Sequence, residues 1–136
     1  MAALKILIVE DEVTSRLLLS SFLSPLGPCD EAEDGREAVQ KFRSALQDGA
    51  PYDLVCLDIM MPRMDGQAAL REIREAEDAA GIIPDQRTKV LMVTALSEQH
   101  HVLRAYMRGG ATGYLVKPID KERLYAELGK LGFRFL

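Results

Sequence analysis

Short apolar runs alternate with helix-spaced segments along this chain. Leu4-Lys5-Ile6-Leu7-Ile8-Val9 is nearly all apolar and rich in β-branched residues, and Asp53 to Leu57, Lys89 to Val93 and Gly113 to Val116 repeat the pattern. Runs this short with no polar face suit strands covered on both sides, as in a parallel sheet. A fifth run, Pro28 to Ala32, is more polar and reads as an edge strand. Between the runs, Leu18, Phe22 and Leu26 recur at i+4 with Leu19 and Leu23 beside them, and Pro25 and Gly27 mark the end of that helix. Ala38, Phe42 and Leu46 predict a second helix ending at Gly49. Ala69, Ile73 and Ala76 predict a third that opens near Asp65. Val102, Leu103, Tyr106 and Met107 predict a fourth, stopped by Gly109-Gly110. Leu124, Leu128 and Leu131 predict a fifth, with Asp120 as its N-cap.

Strand and helix thus alternate five times. Connections of this kind give parallel strands with helices on both sheet faces, an α/β three-layer sandwich. In such sheets ligands bind beyond the carboxyl ends of the strands. The 136 residues fit one domain, since domains of about 100–150 residues are the commonest. Residues 1–136 are therefore read as a single domain, with no room for a separate DNA-binding output domain. Lys plus Arg number 17 against 21 Asp plus Glu, a formal net charge of −4. That balance argues against nucleic-acid binding, which relies on excess positive charge. No apolar run approaches the roughly 20 residues of a membrane span, and the N-terminus does not read as a signal peptide. Cys29 and Cys56 are too few for a disulfide framework and lack metal-ligand spacing. They read as reduced thiols in a cytoplasmic protein, Cys56 within a strand.

The residues that follow each core strand carry the chemistry. Glu10 and Asp11 follow the first, Asp58 ends the third, Thr94 the fourth, and Lys117-Pro118 the fifth. If the strands are parallel, these groups converge in one crevice. Three carboxylates held so close either raise their pKa values or demand a cation. Lys117 answers one charge. The remainder suits Mg²⁺, a hard ion that takes oxygen ligands from one or two carboxylates and a phosphate. A carboxylate beside a metal, an ammonium and a hydroxyl suits phosphoryl transfer, with Asp58 as nucleophile. Glu10 and Asp11 would hold the metal, Lys117 would pair with Asp58 and a phosphoryl oxygen, and Thr94 would hydrogen-bond another.

At four places these residues match a known pattern: Ile8-Val9-Glu10-Asp11-Glu12, Leu57-Asp58-Ile59-Met60-Met61-Pro62-Arg63-Met64-Asp65-Gly66, Val93-Thr94-Ala95 and Leu115-Val116-Lys117-Pro118. In this order, each at a predicted strand end, they make the chain resemble a bacterial two-component response-regulator receiver domain of the chemotaxis type over essentially its whole length. The resemblance implies a flavodoxin-like fold with five helices and strand order 2-1-3-4-5. It implies that a histidine kinase or histidine phosphotransfer domain donates a phosphoryl group to Asp58. It also implies that Glu10, Asp11, Asp58 and the backbone carbonyl of Met60 bind Mg²⁺, and that a cis bond precedes Pro118. Thr94 and Tyr114 map to the switch hydroxyl and switch aromatic. Their movement would reshape the surface made by the fourth predicted helix, the fifth strand and the fifth predicted helix.

Met60 and Leu96 each lie two residues beyond an active-site position. As apolar side chains they would deny a hydrolytic water a polar partner, so slow loss of the phosphoryl group is expected. Two other function classes compete. One is an aspartyl-nucleophile phosphohydrolase, but such enzymes commonly carry a second Asp two residues after the first, where this chain has Met60. The other is a receiver fold that never takes phosphate, for which the Asp58–Lys117 pair would be purely structural.

Overall fold

The computed structural model describes residues 3–95 and 110–133. Five strands form one parallel sheet: β1 (Ile6–Val9), β2 (Cys29–Ala32), β3 (Leu54–Asp58), β4 (Lys89–Thr94) and β5 (Gly113–Val116). Their order is β2-β1-β3-β4-β5, so β2 is an edge strand, as its polarity suggested. Four helices are described: α1 (Val13–Leu23), α2 (Gly35–Gln47), α3 (Gly66–Ala79) and α4 (Lys121–Lys130). The helix predicted around Val102 to Met107 lies outside the described residues, as does Leu96. Among the described residues no helix is long and apolar enough to cross a membrane.

Alternation along the strands sorts the core into two layers, because successive side chains point to opposite faces. Leu7, Val9, Val55, Leu57, Val90 and Met92 pack against Phe42 of α2 and Leu70 and Ile73 of α3. Ile6, Ile8, Leu54, Cys56, Leu91 and Leu115 pack against Leu19 and Leu23 of α1 and Leu124 and Leu128 of α4. Burial pushes the Cys56 thiol up to about 12, which keeps it protonated and inert at neutral pH. Phe42 stacks on Tyr52 at a ring separation of 6.4 Å.

Asp34, Asp65 and Asp120 cap α2, α3 and α4, their carboxylates accepting the backbone N–H of Glu37, Ala68 and Arg123. The buried stripe of α1 is Ser15, Leu19 and Leu23, which corrects the expected Leu18–Phe22–Leu26 face. Leu18 is exposed, Phe22 is partly buried, and Leu26 falls in the 3₁₀ turn Ser24–Leu26 beyond the helix. Leucines at 17, 18, 19 and 23 give α1 two candidate stripes, and the sheet contact selects one. The expected loop from Gly81 to Thr88 contains a 3₁₀ turn, Pro84–Gln86.

Core burial on the α3 side predicts a sharp contrast in urea unfolding. Ile73→Ala, at a fully buried position, will lower stability by about 2–5 kcal/mol. Ile83→Ala, where the side chain is 60% exposed, will change it by about 0.5 kcal/mol or less. Equal losses would contradict the assigned core.

Candidate functional site: an acidic crevice at the strand ends

The register of the sheet builds the crevice. Val9 pairs with Leu57 across the β1–β3 ladder, so the next residues, Glu10 and Asp58, come level at the carboxyl edge. Asp58 pairs with Val93 on β4, which puts Thr94 one residue beyond it. Thr94 pairs with Val116 on β5, and Lys117 follows, its N–H donating to the Thr94 carbonyl at 2.7 Å. One ligand oxygen from each of Glu10, Asp11 and Asp58 lies within 4.8 Å of the others. Glu10 and Asp58 are buried, and Asp11 is exposed at the rim.

Lys117 is the cation that faces this group. Its Nζ stands 2.9 Å from Glu10 Oε1 and 3.6 Å from Asp58 Oδ2. Glu10 Oε1 is buried, and the Lys117 ammonium is the group set against it. The other Glu10 oxygen accepts the Glu12 N–H at 3.2 Å. Arg16 holds the Glu10 carbonyl at 2.9 Å and makes ion pairs with Glu31 and Glu33, tying α1 to the acidic side of β2. The Met60 N–H donates to Asp58 Oδ1 at 3.2 Å, which orients the carboxylate. The Lys117–Pro118 peptide bond is cis.

The charges here are frustrated. Burial pushes the Glu10 carboxyl up, and the Asp58 carboxylate adds to the shift more than Lys117 offsets it. Partial burial and the neighbouring Glu10 raise Asp11 as well. Burial works against the Lys117 ammonium, yet the Glu10 contact and the charge of Asp58 outweigh it and hold its pKa above the usual value. With all groups ionised the crevice carries excess negative charge. Three carboxylate oxygens within 4.8 Å of one another, with surplus negative charge, fit a hard divalent cation.

The structure thus brings Glu10, Asp11, Asp58 and Lys117 together. Thr94 is buried at the adjoining strand end, and its hydroxyl donates to the Ala95 carbonyl at 3.2 Å. Tyr114 lies on β5 two residues short of the strand's carboxyl end, 43% exposed and outside the crevice. The Met60 side chain is 55% exposed. Sequence reading missed Arg16 and the ion pair of Arg63 with Asp34. Nothing in the spacing points to either arginine.

Residues 6–129 match the family of response regulator receiver domains. This chain belongs to that family. It is 34% identical over 128 residues to the chemotaxis protein CheY of Bacillus subtilis, covering 93% of this chain and 95% of that protein. It is 35% identical over 129 residues to the Probable histidine kinase 2 of Oryza sativa, covering 88% of this chain but only 12% of the rice protein. Among solved structures, it is similar to the receiver domain of a Pseudomonas aeruginosa sensor histidine kinase, which has a magnesium ion coordinated in its active-site cleft. The TM-score is 0.76 at 26% identity, over 97% of this chain and all of that one (100%). The receiver domain is a phosphorylation-activated switch of two-component signalling, and the flavodoxin-like strand order matches that expected from the motifs.

The raised carboxyl pKa values fix the sign of a pH effect. A carboxyl with a higher pKa in the folded chain than in the unfolded one favours the fold fully below the unfolded value. That contribution is lost as pH rises through the folded value. In chelator, Asp11→Asn will therefore raise the melting temperature of the receiver domain at neutral pH. The gain will shrink as pH falls through the raised folded value and will be gone below pH 3.8, the ordinary value for an aspartate. Thermal unfolding across pH checks this, and a variant less stable than wild type at neutral pH would contradict it.

Proposed function

We propose that Asp58 accepts the phosphoryl group, from a phosphohistidine of a histidine kinase or a histidine phosphotransfer domain. The observation that carries this reading is the cluster of Glu10, Asp11 and Asp58 oxygens within 4.8 Å, with Lys117 3.6 Å from Asp58. An Asp58 carboxylate oxygen attacks phosphorus in line. The P–O bond forms as the P–N bond breaks, and the electron pair of that bond stays with the departing imidazole nitrogen. Glu10, Asp11, Asp58 and the Met60 backbone carbonyl are the proposed ligands of Mg²⁺, and such an ion neutralises charge on the phosphoryl oxygens. Lys117 supplies a fixed positive charge to the same oxygens.

Readout begins at Thr94. Its hydroxyl is held by a long bond to the Ala95 carbonyl, and a phosphoryl oxygen is a stronger, charged acceptor. Moving the hydroxyl toward Asp58 vacates space that the outward Tyr114 ring fills by turning in. The equilibrium between the two packings shifts accordingly. The surface of the predicted helix around Val102 to Met107, β5 and α4 changes for a protein partner.

This reading makes the chain one receiver domain over residues 1–136 and a stoichiometric acceptor, not a turnover enzyme. Met60 stands where aspartyl phosphohydrolases commonly carry a second acid. A cytoplasmic location accords with its two free thiols, and the acidic net charge favours a protein partner over nucleic acid.

Intact-mass analysis after exposure to a small phosphodonor tests the reading. Wild type will gain one phosphoryl group when Mg²⁺ is present and Asp58→Asn will gain none. Equal labelling of the variant would overturn the assignment of Asp58. Continuous phosphate release in large excess over protein would overturn the acceptor role in favour of a hydrolase.

A further inference from the structure

Arg63 has φ of +64°, the only positive φ outside glycine among the described residues. A side chain with a Cβ disfavours that left-handed conformation, which persists only where surrounding contacts impose it. Here two guanidinium nitrogens converge on one carboxylate oxygen. Arg63 Nε donates to Asp34 Oδ2 at 2.6 Å, and Nη2 lies 2.5 Å from the same atom. The Asp34 side chain is only 6% exposed, and its other oxygen accepts the Glu37 N–H at 2.8 Å, capping α2.

Backbone contacts on either side tighten the same junction. The Gly35 N–H donates to the Met64 carbonyl at 3.1 Å, and a Cβ on Gly35 would stand 2.3 Å from that oxygen. At the end of the loop, the Gly66 N–H donates to the Ile59 carbonyl at 2.8 Å. A Cβ there would stand 2.2 Å from the Asp58 carbonyl. The loop from 59 to 65 is therefore fixed to its own strand at its ends and to the start of α2 in its middle. Met60 lies inside it, and the Met60 N–H is the group that orients Asp58 Oδ1.

We propose that Arg63 and Asp34 are positioning residues for the phosphorylation site: their ion pair holds the β3–α3 loop in the shape that presents the Met60 backbone to Asp58 and to the divalent cation. The cation part rests on the ligand set proposed above. An arginine serves here because its rigid planar fork places two N–H groups on one carboxylate, which the single ammonium of a lysine does not reproduce.

The test pairs two measurements on the full chain. One is the Mg²⁺ dissociation constant by calorimetry. The other is hydrogen exchange at the Met60 amide in the metal-free protein. The variants are Arg63→Gly, which relaxes the backbone while removing the pair, and Asp34→Asn, which keeps a capping side chain. Ile73→Val serves as a control destabilised away from the loop. Arg63→Gly and Asp34→Asn will each weaken Mg²⁺ binding about tenfold, as outer-shell changes do, and speed exchange at Met60. The double variant will do no worse than either alone, because the two residues act as one unit. Ile73→Val will lower the melting temperature with its dissociation constant unchanged. Wild-type affinity and wild-type exchange in Arg63→Gly would overturn the inference while leaving the ligand set intact. A wild-type chain that binds no Mg²⁺ would overturn the ligand set, and with it the cation part of the inference. Exchange at Met60 that then stays at the wild-type rate in Arg63→Gly would overturn the rest.

Discussion

Among the described residues Lys117, 2.9 Å from Glu10 and 3.6 Å from Asp58, is the one ammonium set against three clustered carboxylates, and the behaviour of the site follows from that imbalance. The parallel register brings Glu10 and Asp58 level at the sheet edge, where both are buried. Burial makes like charges costlier to hold together, so these clustered carboxylates oppose stability. The two apolar layers on either side of the sheet supply the stability that this arrangement withdraws. The crevice can therefore hold an electrostatic demand that only a cation, or a proton, relieves.

The same imbalance explains why phosphorylation acts as a switch. On the proposed reading, a phosphoryl group on Asp58 would add negative charge where negative charge is already in excess, and its oxygens would compete for every donor within reach. Thr94 would enter that competition from a weak starting position, since its hydroxyl donates at 3.2 Å to the carbonyl of the next residue. Tyr114 is on the adjoining strand and faces outward. On that reading, communication from crevice to surface would pass between the paired strands β4 and β5.

Much of this was legible in the chain because strand ends are. Four apolar runs fixed where the sheet would lie, and the residues just after them, Glu10, Asp11, Asp58 and Lys117, could meet only at one edge. Four features were not legible. The buried stripe of α1 depends on which side faces the sheet, and a leucine cluster at 17 to 19 satisfies either choice. The ion pair of Arg63 with Asp34 joins residues 29 apart in sequence with no periodic signal. The left-handed backbone at Arg63 carries no marker, since glycine is the residue that ordinarily announces it. The direction of the Thr94 hydroxyl is set by local geometry that a sequence pattern does not encode.

The most direct measurement of the central claim is the dependence of unfolding free energy on divalent cation concentration, in wild type and in Asp11→Asn. A ligand that binds only the folded state stabilises it by about 2.7 kcal/mol at a hundredfold excess over its dissociation constant. The account predicts a stabilisation of that order for wild type in Mg²⁺ and little or none for Asp11→Asn. An unfolding free energy of wild type that does not move with Mg²⁺ would contradict it.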